Sequence, residues 1–182
     1  MTVNAVAPTH EQAVFHEDEL MVTQSDLNGD LIYCNDTYCR VMEVCTAEAL
    51  GRAISHTWHP DMPSSLVKRI MDTDPTGREL FLYIKHITKS GKYLWVLVQV
   101  SPLFNGKNQP IGYNSVRRYM KPEVISQIGD LYRSIKSEEQ RHSDPDEAIL
   151  AGEMLLNTML TDQGHDYPEF IWSIMDTENE TS

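Results

Sequence analysis

The chain has 182 residues, 41% hydrophobic and 23% charged, with a formal net charge of −12. This is a globular composition, and no run approaches the ~18 apolar residues of a membrane helix. Residues 143–182 hold 10 acidic residues and no Lys or Arg, so the rest of the chain is close to neutral. That distribution argues against nucleic acid and against an anionic membrane surface, and it suits a protein partner with a basic patch.

The first residues show no basic segment followed by an apolar one, so no signal peptide is expected and the expected location is cytoplasmic. Three cysteines, Cys34, Cys39 and Cys45, fit no zinc spacing and read as reduced, partly buried thiols.

Residues 1–18 lack periodicity and read as a flexible leader. Glu19 to Thr23 predicts a strand, Asn28-Gly29 a tight turn, and Leu31 to Cys34 the returning strand. Asn35-Asp36-Thr37 opens a helix, because short polar side chains cap free N–H groups. Tyr38, Val41 and Met42 mark its apolar face. A second short helix, from Thr46, stops at Gly51.

Trp58-His59-Pro60-Asp61-Met62-Pro63 follows, stiffened by two prolines that also restrict His59 and Met62. Ser64 to Asp72 predicts a helix, and Asp74-Pro75-Thr76-Gly77 a turn. Three strands come next, at Glu79 to Thr88, Tyr93 to Pro102 and Pro110 to Tyr119, read as an antiparallel meander. A helix with Pro122 in its first turn carries Val124, Ile125, Ile128, Leu131, Tyr132 and Ile135 on one face. Ser137 to His142 reads as a polar linker. A last helix begins at Pro145 and ends at Gln163-Gly164, and an aromatic segment follows from Tyr167 to Met175.

The expected organisation is leader 1–18, a sensor-sized domain 19–120, a flanking helix and linker 121–142, and an acidic amphipathic helical tail 143–182. The sequence has no Gly-rich phosphate loop, nucleophile elbow, zinc-protease motif or kinase motif, so it reads as non-catalytic.

A hairpin, short helices and then a three-stranded meander is the element order of a PAS domain. Cys34-Asn35-Asp36-Thr37-Tyr38, His59-Pro60-Asp61-Met62-Pro63, Lys89-Ser90-Gly91-Lys92-Tyr93-Leu94-Trp95-Val96 and Ile111-Gly112-Tyr113-Asn114-Ser115-Val116-Arg117 resemble the N-terminal PAS sensor domain of bacterial aerotaxis receptors. The resemblance covers about residues 20–136. It implies an α+β PAS fold: a five-stranded antiparallel sheet, short helices on one face, a pocket between them, and here a C-terminal helical extension. In that family the pocket holds flavin adenine dinucleotide (FAD), or haem in some relatives. The implied function is sensing of redox state or oxygen, signalled by protein–protein interaction.

Carried over residue by residue, His59 and Asp61 match positions linked to flavin binding. Trp58 stands where flavin members carry a basic residue, and His86 where they carry an asparagine. These differences leave four outcomes open: FAD, haem, another ligand such as a small apolar molecule, or no cofactor in a PAS interaction adaptor that can dimerise. Asn35 is either a helix cap or a ligand contact. His59 and Asp61 either meet a cofactor or lock their own turn. His56 and His59 are the candidate haem ligands, since neutral imidazole is the usual axial donor. Trp95, with His86 on the neighbouring strand, is expected to face the pocket. Arg117 reads as a relay to the Pro122 helix or as a polar edge. Leu155, Leu156, Phe170 and Trp172 are the expected partner-binding surface of the tail.

Overall fold

A computed structural model describes residues 6–72, 77, 79–162 and 164–180, with helix but no side chains assigned over 176–180. The turn expected at Asp74-Pro75-Thr76 and the helix stop at Gln163 lie outside the described residues.

The elements in order are β1 (Met21–Ser25), β2 (Leu31–Cys34), α1 (Asp36–Met42), α2 (Thr46–Ala49), a 3-10 turn (Ile54–Thr57), α3 (Ser64–Met71), β3 (Leu80–Ile87), β4 (Tyr93–Phe104), β5 (Pro110–Arg118), α4 (Pro122–Glu139), α5 (Pro145–Asp162) and α6 (Tyr167–Glu180). They divide into two units. One holds the described residues of 1–60 and 74–120, the other those of 61–73 and 121–182. The helix read from Ser64 onward therefore belongs with the C-terminal helices.

The first unit is a five-stranded antiparallel sheet in the order β2-β1-β5-β4-β3. The β1–β2 turn is held by Asp26, whose Oδ1 accepts from Asn28 N (2.8 Å) and Asp30 N (3.0 Å). Gly29 sits there at φ 87°, a conformation that costs a side-chain-bearing residue energy. Asn35 caps α1. Its Oδ1 accepts from Tyr38 N and from Val22 N on β1, both at 3.0 Å, and its Nδ2 donates to Leu20 O at 2.9 Å. One amide thus ends β2, starts α1 and fastens β1.

The leader is not loose from Thr9 onward. Thr9 N donates to Gly91 O at 2.7 Å, Tyr93 N to Glu11 O at 2.9 Å and Ala13 N to Tyr93 O at 2.8 Å. Ala13 and Phe15 are buried. Pairing with a neighbouring strand needs no side-chain periodicity, so the sequence pattern carried no sign of it.

Register assigns the faces of the sheet. Met21 and Thr23 of β1, Leu82, Ile84 and His86 of β3, Leu94, Val96 and Val98 of β4, and Arg117 of β5 share one face, and all are buried. Trp95 pairs with Lys85, one position away from the His86–Leu94 pair, so it lies on the opposite face. The expectation that Trp95 and His86 share one pocket is therefore corrected. Trp95 is buried, with Lys85 Nζ 6.0 Å from its ring centroid.

The second unit is helical. On α4 the expected stripe of Val124, Ile128, Leu131, Tyr132 and Ile135 is buried, while its sixth member, Ile125, is half-buried. α5 buries only Gly152, Leu156 and Leu160, at spacing i, i+4, i+8. α6 buries Tyr167, Phe170, Ile171 and Ile174. Leu156 and Phe170 thus belong to the core of this unit instead of an exposed partner surface. Leu155 is half-buried, and Trp172 is 48% exposed.

α4 continues three residues into the expected linker and ends at Glu139, which has a structural task. It is 4% exposed, and its carboxylate accepts from Ser64 N, Ser65 N and Ser65 Oγ, each at 2.8 Å. Pro63, the residue before α3, offers no capping side chain, so Glu139 caps that helix from α4 and meets its positive dipole end. Lys136 Nζ adds a contact at 3.6 Å to Glu139 and donates to Met62 O at 3.1 Å. Gly152 of α5 lets the backbone come close, since a Cβ there would meet Ser65 Oγ at 2.7 Å and Glu139 Oε1 at 2.8 Å.

Glu139→Ala is expected to cost about 3 kcal/mol, because it leaves buried donors unpaired. Gly152→Ala should cost about 1–3 kcal/mol by overpacking. Urea unfolding of the full chain measures both, and unchanged midpoints would contradict this account of the cap.

Candidate functional site

Arg117 is 2% exposed, on the helix-covered face of the sheet. Its Nε donates to His86 Nε2 at 3.1 Å and its Nη1 to Thr23 Oγ1 at 2.9 Å. Its guanidinium carbon lies 5.9 Å from the centroid of the Tyr38 ring. No carboxylate pairs with it among the described residues. Burial lowers its pKa to about 10, with Tyr38 opposing, so it stays charged at neutral pH.

The arginine dictates the state of the histidine. A guanidinium only donates, so His86 Nε2 must be the accepting nitrogen. The proton then sits on Nδ1, which faces Thr57 Oγ1 at 3.0 Å and Thr57 O at 3.1 Å. Thr57 Oγ1 donates to Ile54 O at 2.7 Å, leaving its lone pairs towards the imidazole. Burial first, and the Arg117 charge second, lower the His86 pKa to about 3. His86 is thus a neutral connector between β5 and the 3-10 turn. With both ring nitrogens engaged, it is not placed to ligate a metal.

Next to this network lies a cleft of about 410 Å³. Its apolar wall includes Leu31, Tyr38, Met42, Val44, Ala49 and Ile87. Its polar lining includes Arg52, His56, Thr57, Trp58, Thr88 and Lys89. Tyr38 and Thr57 belong to both cleft and network. The volume falls in the range of small-molecule sites, roughly 300–1,000 Å³.

Trp58 carries the most informative atom. Its Nε1 is buried without an acceptor among the described residues. A buried donor left unpaired costs about 1–3 kcal/mol, so native folds rarely keep one without reason. Trp58 is held by a bridge to His86, and the next residue, His59, donates its backbone N–H to Lys85 O at 2.8 Å. The segment runs along β3 like a short extra strand.

Of the sequence-derived candidates, the cleft brings together only His56 and Trp58. His56 is exposed, and His59 is buried and does not line the cleft. Asp61 is exposed and falls in the helical unit. The polar groups of Asn35 are all taken by backbone partners. Arg117, Thr57, Tyr38 and Thr23 were not among the expected site residues. Alternation beside the apolar Val116 would put Arg117 outward; its inward position follows from its register with the buried Met21 and Val98, which no local signal gives.

These features can be compared with known proteins. A family model described as PAS fold matches residues 20–116, more than half of the chain. The chain belongs to the PAS fold family. The aerotaxis receptor of Escherichia coli strain K12 is 24% identical over 129 residues, covering 71% of this chain and 25% of the receptor. The chain thus spans about a quarter of that relative's length. Among solved structures, a PAS domain from Colwellia psychrerythraea aligns with TM-score 0.50 and 16% identity over 56% of this chain and 86% of that one. The blue-light photoreceptor Aureochrome1 LOV in its light state aligns with TM-score 0.53 and 16% identity, over 63% and 90%. At these identities the structures support the PAS fold alone. Among the described residues, no helix is long and apolar enough to cross a membrane.

A pH dependence follows from His86. Its folded pKa, about 3, lies below the ordinary 6.5, so the unfolded chain binds more protons between the two. The stability from the neutral imidazole is complete above 6.5 and is lost as pH falls towards 3. Urea unfolding across this window should show the loss, and His86→Gln should flatten it. An identical slope in the variant would assign the effect elsewhere.

Proposed function

We propose that this PAS unit is a non-catalytic sensor whose ligand sits in the Tyr38–Trp58 cleft and whose signal leaves through protein contacts of the helical unit. The observation that carries this reading is the unpaired, buried Trp58 Nε1 beside an apolar cleft. A ligand with an acceptor on a flat aromatic edge would satisfy that donor while its faces meet Tyr38, Met42 and Ile87.

A flavin has such an edge, and the residues fit its ring portion. Trp58 would donate to a ring carbonyl, and the exposed Arg52 and His56 suit the diphosphate of FAD. When bound, a flavin supplies reversible one- and two-electron redox chemistry. The chain's own residues hold and orient it: Thr57 fixes the turn that carries Trp58, and the apolar wall excludes water. Haem is the alternative cofactor, with His56 as the candidate ligand, because His86 has both nitrogens engaged.

A second reading rests on the inner face of the sheet. Arg117, His86, Tyr38 and Thr23 fill it to 2% exposure or less. A core closed in this way also suits a cofactor-free adaptor that dimerises or docks a partner. In either reading the output lies on α5 and α6. There Leu150, Met154 and Trp172 are 57%, 61% and 48% exposed, on acidic helices that suit a basic partner.

The test is a visible absorption spectrum of the full chain, purified after expression with added flavin and haem precursor. A flavin spectrum is expected, and Trp58→Phe should weaken FAD binding about tenfold, the equivalent of one lost hydrogen bond. A haem spectrum that disappears in His56→Ala would replace flavin by haem. A colourless protein that releases nothing on denaturation would overturn the sensor reading and leave the adaptor.

A further inference from the structure

Two of the three thiols are in contact. Cys34 ends β2 and is buried, while Cys39 lies in the second turn of α1 and is half-buried. Their Sγ atoms are 3.6 Å apart, the van der Waals distance of two sulfurs. Cys39 Sγ also lies 3.6 Å from Thr46 Oγ1 at the start of α2. The contact comes from the local chain path: the Asn35 cap turns the backbone from strand to helix, and Cys39 N donates to Asn35 O at 3.2 Å. Cys45 is exposed and caps α2 separately.

A disulfide holds its sulfurs about 2 Å apart, so the pair is about 1.5 Å of side-chain movement from a bond. We propose that Cys34 and Cys39 form a redox-active dithiol that closes to an intramolecular disulfide on exposure to hydrogen peroxide. Cys39, the more accessible of the two, reacts first. Its thiolate attacks a peroxide oxygen, the O–O bond breaks, and the departing hydroxide takes up the Cys39 proton as water. The sulfur of Cys34 then attacks the sulfenic sulfur of Cys39, the S–O bond breaks, and hydroxide leaves with the Cys34 proton as a second water. The two thiols lose two electrons to the peroxide, which is reduced to two waters.

Burial, then the hydrogen bond with Cys39, pushes the Cys34 thiol up to about 11, which makes it a poor first target for peroxide. Contact with Cys39 offsets that weakness, because an attack within contact distance has a very high effective concentration. The bond would also constrain function. The loop it closes contains Asn35, which fastens β1, and Tyr38, which lines the cleft and faces Arg117.

The experiment treats the reduced full chain with one equivalent of hydrogen peroxide, then alkylates the remaining thiols under denaturing conditions and maps the peptides. Alkylatable thiols should fall from three to one, the mass should drop by two hydrogens, and the linked peptides should contain Cys34 and Cys39. Cys45→Ser should go from two thiols to none. A reducing dithiol should restore the original count. Three surviving thiols, a link through Cys45, or added oxygen atoms without a link would each overturn the proposal. The decisive sample is the unmodified protein, so misfolding of a variant does not cloud the result.

Discussion

A buried guanidinium with no paired carboxylate among the described residues is the constraint on which the sheet unit depends. Taking an ion out of water costs several kcal/mol unless hydrogen bonds and nearby dipoles replace the solvent. Around Arg117 the replacements are His86 Nε2, Thr23 Oγ1 and the face of Tyr38. Each demand passes to the next group. Arg117 needs an acceptor, so His86 is neutral and carries its proton on Nδ1. That proton faces Thr57, and Thr57 ends the 3-10 turn from which Trp58 and His59 run along β3. The lining of the cleft is thereby tied to a charge in the sheet. Tyr38 and Thr57, which line the cleft, both contact this network.

The helical unit solves a related problem with the opposite charge. Glu139 is buried, and its main partners are the free N–H groups at the start of α3 and the hydroxyl of Ser65. The arrangement serves both partners: the helix start needs acceptors, and the carboxylate needs donors. It also explains the glycine at position 152, where a side chain would press on Ser65 and Glu139. In both units a buried charge is satisfied mainly by hydrogen bonds rather than by a close ion pair, and such geometry holds elements in one register.

Much of the fold was legible in the sequence. Asn28-Gly29, the Asn35 cap, the Lys89-Ser90-Gly91-Lys92 turn and the Pro122 helix start are local signals, and the element order they punctuate is that of the PAS fold. Long-range consequences were not legible. Glu139 looked like linker because its partners lie 74 and 75 positions away. Leu156 and Phe170 looked like an output surface because an apolar stripe does not say whether its cover is intramolecular. Trp95 was placed with His86 because register, which alone separates the two faces, depends on pairing across the turn. His56, named from its residue type, and Trp58, named from its place beside His59-Pro60, both line the cleft. Arg117 was read as a relay or a polar edge because an arginine next to an apolar Val116 is expected to point outward; only its register with Met21 and Val98 puts it inside.

The most direct measurement is the protonation state of His86 by long-range proton–nitrogen NMR of the imidazole in the full chain. The account predicts a neutral ring protonated on Nδ1, with Nε2 showing the shift of an unprotonated acceptor, and no titration as pH falls through 6.5. A ring protonated on Nε2, or one that titrates near 6.5, would mean that Arg117 does not bond to His86. The link from the buried charge to the Trp58 cleft would then be broken.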